Sequence, residues 1–406
     1  MAPPRLDQFP SEMIDAIATF LSRRDLLTIR FVCHALRSES ELVFRQTFFT
    51  SRTTSLDIDD LHTLLEVSRH PKFSGDIKTL EIDVQCLAKP TSSQCPLDLC
   101  EQFITGAKEK EFFRDPHNQP LQEYRNMLQK RFEAQEFADR TGFQTAVLTS
   151  ILRNLPALTS IHVGGHFSGP FHRKINDGWR PAGMHKLVAD DSFAKHKIFD
   201  RGFGVDKVLT AICVSMKPLI SLAIDPFDPG SSAVSEHLPT ALSYSLNSVR
   251  FLELWIIHQR VHTEQDEVAR LLSYLTAMPK LEHLEFMYEG GGLAIEHIGA
   301  RILWPNLTYC ELGDFKCTAE GLHNFIRRHV GTLRHIEFNN CSLQPGNWRP
   351  ILFSILDAGK AHMVDVWYCS QFSSHGPKES VDFEAEGTPA EVSEALSAFL
   401  EELPES

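Results

Sequence analysis

The chain has 406 residues, 42% hydrophobic and 23% charged, enough apolar material for several domains or one long array. Its formal charge is −13, and the stretch from Glu379 to the end holds nine acids and no Lys or Arg. This balance argues against a nucleic-acid binder, which needs a basic face, and no apolar run approaches the ~18 residues of a membrane span.

The opening MAPPRLDQFPSEMID has no apolar stretch behind a basic flank, so it does not read as a secretory signal. The expected location is intracellular, cytoplasmic and/or nuclear. Nine cysteines without C-x-x-C pairs then read as reduced thiols, and the sequons at Asn306 and Asn340 would go unused. Cys86, Cys95 and Cys100 have no matching pair at finger spacing, so no metal is expected.

Along the first fifty residues, Ile14, Ile17, Ala18 and Leu21 form one apolar stripe of a short helix entered through Pro10 and Ser11. SRRD follows, with Ser22 placed to cap a second helix and Asp25 three residues on. Leu26, Ile29 and Cys33 line its inner face. A third helical stretch is expected through Ala35, Leu36, Leu42, Val43 and Phe48. Three short helices make a weak core, so such a unit is expected to lean on something else.

The stretch LDQFPSEMIDAIATFLSRRDLLTIRFVCHALR resembles the F-box. The pattern falls on Phe9, Pro10, Glu12, Ile14, Leu21, Asp25, Leu26, Arg30, Val32, Cys33, Leu36 and Arg37. Phe9 stands where the family usually has Leu, and LVFRQTFF lacks the family's late tryptophan. The resemblance implies docking on the Skp-type adaptor of a cullin-RING ubiquitin ligase. Leu6, Phe9, Pro10, Ile14, Ile17, Leu26, Leu27 and Val32 would then be divided between the helical core and the adaptor groove.

Beyond residue 50 one spacing, L-x-x-L-x-L, recurs eight times, starting at Ile77, Leu158, Leu219, Val249, Leu281, Leu307, Leu333 and Ala361. From Leu219 onward the intervals are 30, 32, 26, 26 and 28 residues, the period of a strand–helix repeat. Helical stripes lie between the anchors: Val268, Leu271, Leu272 and Leu275 behind Thr263, and Leu322, Phe325 and Ile326 behind Thr318. Ile351, Leu352, Ile355 and Leu356 precede Gly359. These units resemble leucine-rich repeats, whose reserved Asn-or-Cys position is filled by Cys341 and Cys369. An F-box followed by such repeats is similar to a group of fungal-type F-box proteins.

The expected fold is therefore α/β. A three-helix F-box (1–50) precedes a curved solenoid (51–373) with a concave parallel sheet and outer helices. An acidic segment with a capping helix closes the chain (374–406). The first two intervals, 81 and 61 residues, are too long for one repeat each. They imply hidden repeats or insertions near 85–155 and 164–207. The first holds a charged helical stretch at 121–138 and an amphipathic one at 143–155. The second is rich in Gly and aromatics, and its His166, His172, His185 and His196 lack metal-ligand spacing. TPAE at Thr388 is a capping box ahead of an apolar stripe of Val392, Leu396, Phe399 and Leu403.

In L-x-x-L-x-L the last two apolar residues point inward, so the residue between them faces the open side of the sheet. Down the eight repeats that position holds Glu81, His162, Ala223, Glu253, Glu285, Glu311, Glu337 and Asp365. Parallel neighbours ~4.8 Å apart would stack the last five acids into a repelling ladder. Two residues before each acid stand Phe251, His283, Tyr309, His335 and Met363. Two after stand Trp255, Met287, Gly313, Asn339 and Trp367. An acidic stripe flanked by aromatics suits a Lys- or Arg-bearing segment. Alternatively, Arg250 or Arg334, or the second insertion, neutralises the acids.

No G-x-S-x-G elbow, Walker loop or H-E-x-x-H occurs. RGFG at Arg201 is an incomplete dinucleotide motif, and the histidines of HQRVH at His258 have no further ligands. The F-box resemblance then implies a non-enzymatic, cofactor-free substrate receptor of an SCF-type ligase, and the acidic stripe suggests a basic protein substrate in the groove. The alternative is an interaction scaffold that does not promote ubiquitination.

Overall fold

A computed structural model describes residues 9–84, 86–87, 119–164, 199–200, 204–227, 238–257, 264–290, 293–344, 346–371 and 379–403. Leu6, Thr263, the four histidines of the second insertion, HQRVH, Arg201 and Cys95 and Cys100 lie outside these residues. No helix among the described residues is long and apolar enough to cross a membrane.

Four short helices open the chain: α1 (Ser11–Ala18), α2 (Arg23–Val32), α3 (His34–Glu39) and α4 (Glu41–Phe49). Ser22 caps α2 by accepting from the Asp25 N–H at 3.2 Å and donating to its carboxylate at 2.7 Å. The single third helix expected through Phe48 is instead two. The buried Ser40 hydroxyl donates back to the Leu36 carbonyl at 2.6 Å, which favours ending α3 there. Ala18, Leu26 and Val43 form a small core flanked by Leu21, Ile29, Phe44 and Phe48. Arg30 ties the unit together. It pairs with Glu41 at 2.6 Å, donates to the Arg37 carbonyl and lies 3.8 Å over the Phe44 ring.

This unit is fastened to the rest of the chain. The Arg45 guanidinium holds Asp76 through two bonds of 2.5 and 2.7 Å, and Phe49 stacks on Phe73 at 4.1 Å. Bidentate geometry of this kind fixes orientation as well as distance.

The array then runs as strand and helix in turn. Its first unit is β1 (Ser51–Ser55) and α5 (Ile58–Arg69), followed by β2 (Thr79–Asp83) and the short β3 (Cys86–Leu87). Next come α6 (Gln119–Thr141), α7 (Phe143–Asn154), β4 (Ser160–Gly164), β5 (Phe199–Asp200) and α8 (Val205–Ser215). The regular part comprises β6 (Ser221–Phe227), α9 (Leu238–Leu246), β7 (Phe251–Ile257), α10 (Glu264–Thr276), β8 (His283–Gly290) and α11 (Leu293–Arg301). It continues through β9 (Tyr309–Cys317), α12 (Ala319–His329), β10 (His335–Asn339), β11 (Ser342–Leu343) and α13 (Arg349–Ala358). The chain closes with β12 (Met363–Gln371), β13 (Glu379–Glu386) and α14 (Pro389–Glu402).

Eleven described strands form one sheet in the order β1-β2-β4-β6-β7-β8-β9-β10-β12-β11, parallel throughout, with β13 antiparallel beside β12. Successive helices pack on one another along one side, from α5 and α7 to α13 and α14. Helix axes need 8–10 Å and strands only ~4.8 Å, so stacking the two together bends the array with the sheet on the inner side. This is the form of a repeat solenoid.

The repeating spacing explains the core. All three apolar positions of every unit are buried: Leu252 and Leu254 follow Val249, Leu284 and Phe286 follow Leu281, and Ile336 and Phe338 follow Leu333. The helical stripes fill the space behind them through Leu271, Leu275, Leu322, Phe325, Ile351 and Ile355. Thr318 caps α12 as expected, and Gly359 ends α13 in the left-handed region at φ +57°. The buried thiols of Cys341 and Cys369 meet carbonyls of the preceding strands, Leu312 O at 3.2 Å and Phe338 O at 3.5 Å.

The two long intervals contain insertions and no further strands of the main sheet, because β2 pairs directly with β4 and β4 with β6. The expected boundary at 155 is corrected. Leu148, Ile151 and Leu152 of α7 are core residues, so Phe143–Asn154 is the helix of a repeat. Likewise Val205 and Val208 of α8 belong to the array, so the second insertion ends before 205. β3 and β5, at the start of one insertion and the end of the other, pair antiparallel.

Two edge strands differ from expectation. β1 precedes the first recognised repeat, and its inward positions hold Arg52 and Thr54, in register with Leu80 and Ile82. Arg52 lies against Phe49 of α4 at 5.4 Å, so this edge faces the helical unit rather than another repeat. The acidic C-terminal segment, expected to supply a capping helix over the last repeat, also contributes β13 to the sheet, through buried Val381 and Ala385. α14 begins with the expected capping box, Thr388 N–H to Glu391 Oε2 at 2.8 Å and Glu391 N–H to Thr388 Oγ1 at 3.4 Å, and buries Val392, Leu396 and Leu400.

Candidate functional site

Two surfaces stand out. The first is on α1 and α2. Of the residues the F-box resemblance divided between core and groove, Ile14 and Leu26 are fully buried, and Ile17 and Phe9 are partly so. Pro10, Leu27 and Val32 are exposed, the last by 67%. Sequence reasoning missed the two largest members: Phe20 is 90% exposed and Phe31 88%. Met13 and Leu42 are exposed as well.

The signal for them was present in the spacing. Met13 and Phe20 stand seven residues apart and Leu27 and Phe31 four apart, off the stripes that feed the small core. Helices of eight and ten residues present an inner face narrow enough for the core of Ala18, Leu26 and Val43 to fill. Phe20, just past α1, and Met13, Leu27, Phe31 and Val32 are left facing water. Large exposed apolar side chains grouped on a small unit mark an interaction surface.

The second surface is the open face of the sheet. Register places Thr53, Glu81, His162, Ala223 and Glu253 side by side, then Glu285, Glu311, Glu337 and Asp365. β13 extends the row, because Glu384 pairs with Asp365. All five consecutive acids are partly buried.

Among the described residues, no Lys or Arg pairs with those five. Arg250 bridges to Glu282 at 3.4 Å, and Arg334 donates to the Leu333 carbonyl at 3.0 Å. The expectation that these arginines neutralise the ladder is thereby corrected. Each stands three residues before its acid, and an odd offset puts it on the other side of the strand.

Relief comes from the row two residues earlier. His283 Nε2 lies 2.7 Å from Glu285 Oε1, and the Tyr309 hydroxyl bridges two repeats, donating to Glu337 at 2.7 Å with Glu311 at 3.3 Å. The His283 and Tyr309 rings stack at 3.9 Å, and His335 meets Tyr309 at 6.2 Å. At the other end Thr53 donates to Glu81 at 2.9 Å.

Burial first, and then the neighbouring acids, raises carboxylate pKa values. Glu253 is pushed up to about 8 by burial and then by Glu285, Asp225 and Glu311. Glu311 rises to about 7 through burial and then Glu337 and Glu285, with Tyr309 and His283 pulling the other way. Asp365 is raised by burial and Glu337, and the Trp367 indole opposes this. The Tyr309 phenol is held protonated by burial and by its bond to Glu337.

Two buried polar atoms of this face have no partner among the described residues: Trp255 Nε1, a donor, and Asp365 Oδ1, an acceptor. Near β12, Trp367 is 42% exposed and Tyr368 75%, where a register shift against β13 puts Tyr368 at φ +51°. Met287 crosses the face where Gly313 leaves room. A Cβ there would clash with the Met287 sulfur.

No protein-family model matches the chain, and no curated protein does. The functional reading therefore stands on these two surfaces and on the sequence motif.

Proposed function

We propose that this chain is the substrate-recognition subunit of an SCF-type cullin-RING ubiquitin ligase. In this reading α1–α4 are an F-box that docks on a Skp-type adaptor and, through it, on the cullin. The open sheet face holds a protein substrate. The chain performs no covalent chemistry itself. Its task is positional, and the stiff connection through Arg45–Asp76 and Phe49–Phe73 transmits the geometry from one end to the other.

The observation that carries this proposal is the exposed apolar surface of Phe20, Leu27, Phe31 and Val32 on a helical unit that also bears the F-box pattern. Burying an exposed aromatic or aliphatic side chain contributes about 1.5–3 kcal/mol. Three or four such groups together are worth roughly 5–12 kcal/mol, the same order as the cost of association, so docking draws on all of them.

The test is co-elution of the full chain with a purified Skp-type adaptor, wild type against a Phe20→Asp, Phe31→Asp double variant. Both residues are exposed, so the fold is expected to survive, and circular dichroism checks it. Wild type co-elutes and the variant does not. Absence of co-elution in wild type overturns the proposal. Cullin-dependent turnover of a captured partner then separates a receptor from a non-ubiquitinating scaffold.

A further inference from the structure

We propose that the open sheet face from β7 to β12 is the docking site for an extended, Lys- or Arg-bearing segment of the partner protein. This rests on the receptor reading above and specifies the class of substrate it takes.

Charge complementarity is the first argument. Five acids stand in unbroken register, and among the described residues no Lys or Arg pairs with them. The hydrogen bonds from His283 and Tyr309 leave the five carboxylates side by side and partly buried, and burial first, then the neighbouring acids, raises Glu253 and Glu311. A cation placed over the ladder relieves this strain in a way that water and salt do only weakly at partly buried carboxylates.

The aromatic rim is the second argument. Phe251 (45% exposed) begins the face at β7, and Trp367 (42% exposed), two residues after Asp365, ends it at β12. Aromatic rings beside acids suit guanidinium and ammonium groups, which gain cation–π attraction and a carboxylate partner together. The rings also bind the apolar stems of those side chains. The unsatisfied acceptor Asp365 Oδ1 lies within this face.

Dimensions fix the form of the ligand. Five parallel strands spread their acids over ~19 Å, and same-side residues of an extended chain repeat every ~6.8 Å. About four basic side chains on one side of an extended segment therefore span the ladder. An acidic or nucleic-acid partner is repelled by the same face.

The test uses the full chain and a fluorescein-labelled dodecapeptide of alternating Arg and Ser, read by anisotropy. The ladder variant is Glu285→Gln, Glu311→Gln, Glu337→Gln. Its control is Glu394→Gln, Glu401→Gln, Glu402→Gln on exposed positions of α14, with the same change in net charge. The ladder variant is expected to bind at least about tenfold more weakly, and the control within about twofold of wild type. Equal loss in both variants makes the attraction a net-charge effect and overturns the site. No loss in the ladder variant, or no binding by wild type, overturns it too. Adaptor co-elution measured on the same preparations keeps a failure here distinct from a failure of the receptor reading.

Discussion

Replacing Glu253 with Gln should stabilise the protein at alkaline pH and leave it nearly unchanged at acid pH. The folded carboxyl keeps its proton up to about 8, because burial and the neighbouring acids disfavour the charge, whereas the unfolded chain releases it near 4.5. A folded pKa raised in this way gives stability that is present below pH 4.5 and lost as the pH climbs through 8. At 1.36 kcal/mol per pH unit the ceiling over that window is about 5 kcal/mol. The side chain is only partly buried, and solvent screening brings the expected loss to about 2 kcal/mol. Gln keeps the shape and cannot ionise, so that loss disappears. Urea unfolding of wild type and Glu253→Gln at pH 5 and pH 8.5 measures the difference, and titrating groups remote from the ladder cancel between the two proteins. A variant advantage of about 2 kcal/mol appearing only at pH 8.5 is the expected result. An advantage independent of pH, or a variant less stable at pH 8.5, refutes the electrostatic account of the ladder.

Other perturbations probe different links. Phe338→Ala opens a cavity at a fully buried inward position between β9 and β12 and should cost about 3–5 kcal/mol in the same unfolding assay. His329 is locked neutral, with Nδ1 donating to the Phe325 carbonyl at 2.8 Å and Nε2 accepting from the Trp304 N–H at 3.1 Å. Burial lowers its pKa, so stability should fall as pH drops below 6.5, and His329→Gln should flatten that acid limb. Arg30→Ala removes the ion pair to Glu41 and the contact with Phe44. It should loosen α2–α4 by about 1.5–3 kcal/mol, seen as faster proteolysis within residues 11–49 with the array intact. Thr388→Ala should cost about 1 kcal/mol by uncapping α14, measurable as earlier exchange of its amides.

Much of the array was readable because one spacing serves three purposes. Leu281, Leu284 and Phe286 declare the inward side, their period declares the repeat, and the residue between the last two declares the open side. Equal offsets in successive repeats then force equal register, which is why Glu253 to Asp365 align as expected. Edges were less legible. At β1 the inward positions are Arg52 and Thr54, since that side meets α4, so the apolar pattern vanishes although the strand remains. β13 hides among acids because alternate residues face solvent. Local competition was also hard to read: the Ser40 hydroxyl ends α3 where apolar residues continue on both sides. On the open face the flanking His and Tyr were visible in the sequence. Which acid each would bond was not, because Tyr309 reaches across a repeat to Glu337.

The sequence named residues for the core and the proposed docking surface of the helical unit together, without saying which belong to which. Leu26 completes the motif but sits in the core. The largest exposed side chains are Phe20 and Phe31, which the motif does not specify. Replacing Leu26 with a charge would test folding, and replacing the two phenylalanines tests docking.

The most direct measurement of the receptor account is hydrogen exchange of the full chain with and without a Skp-type adaptor. The account predicts new protection over α1 and α2, centred on residues 13–32, with strands β7 to β12 unchanged. No protection anywhere, or protection confined to the repeat array, contradicts it.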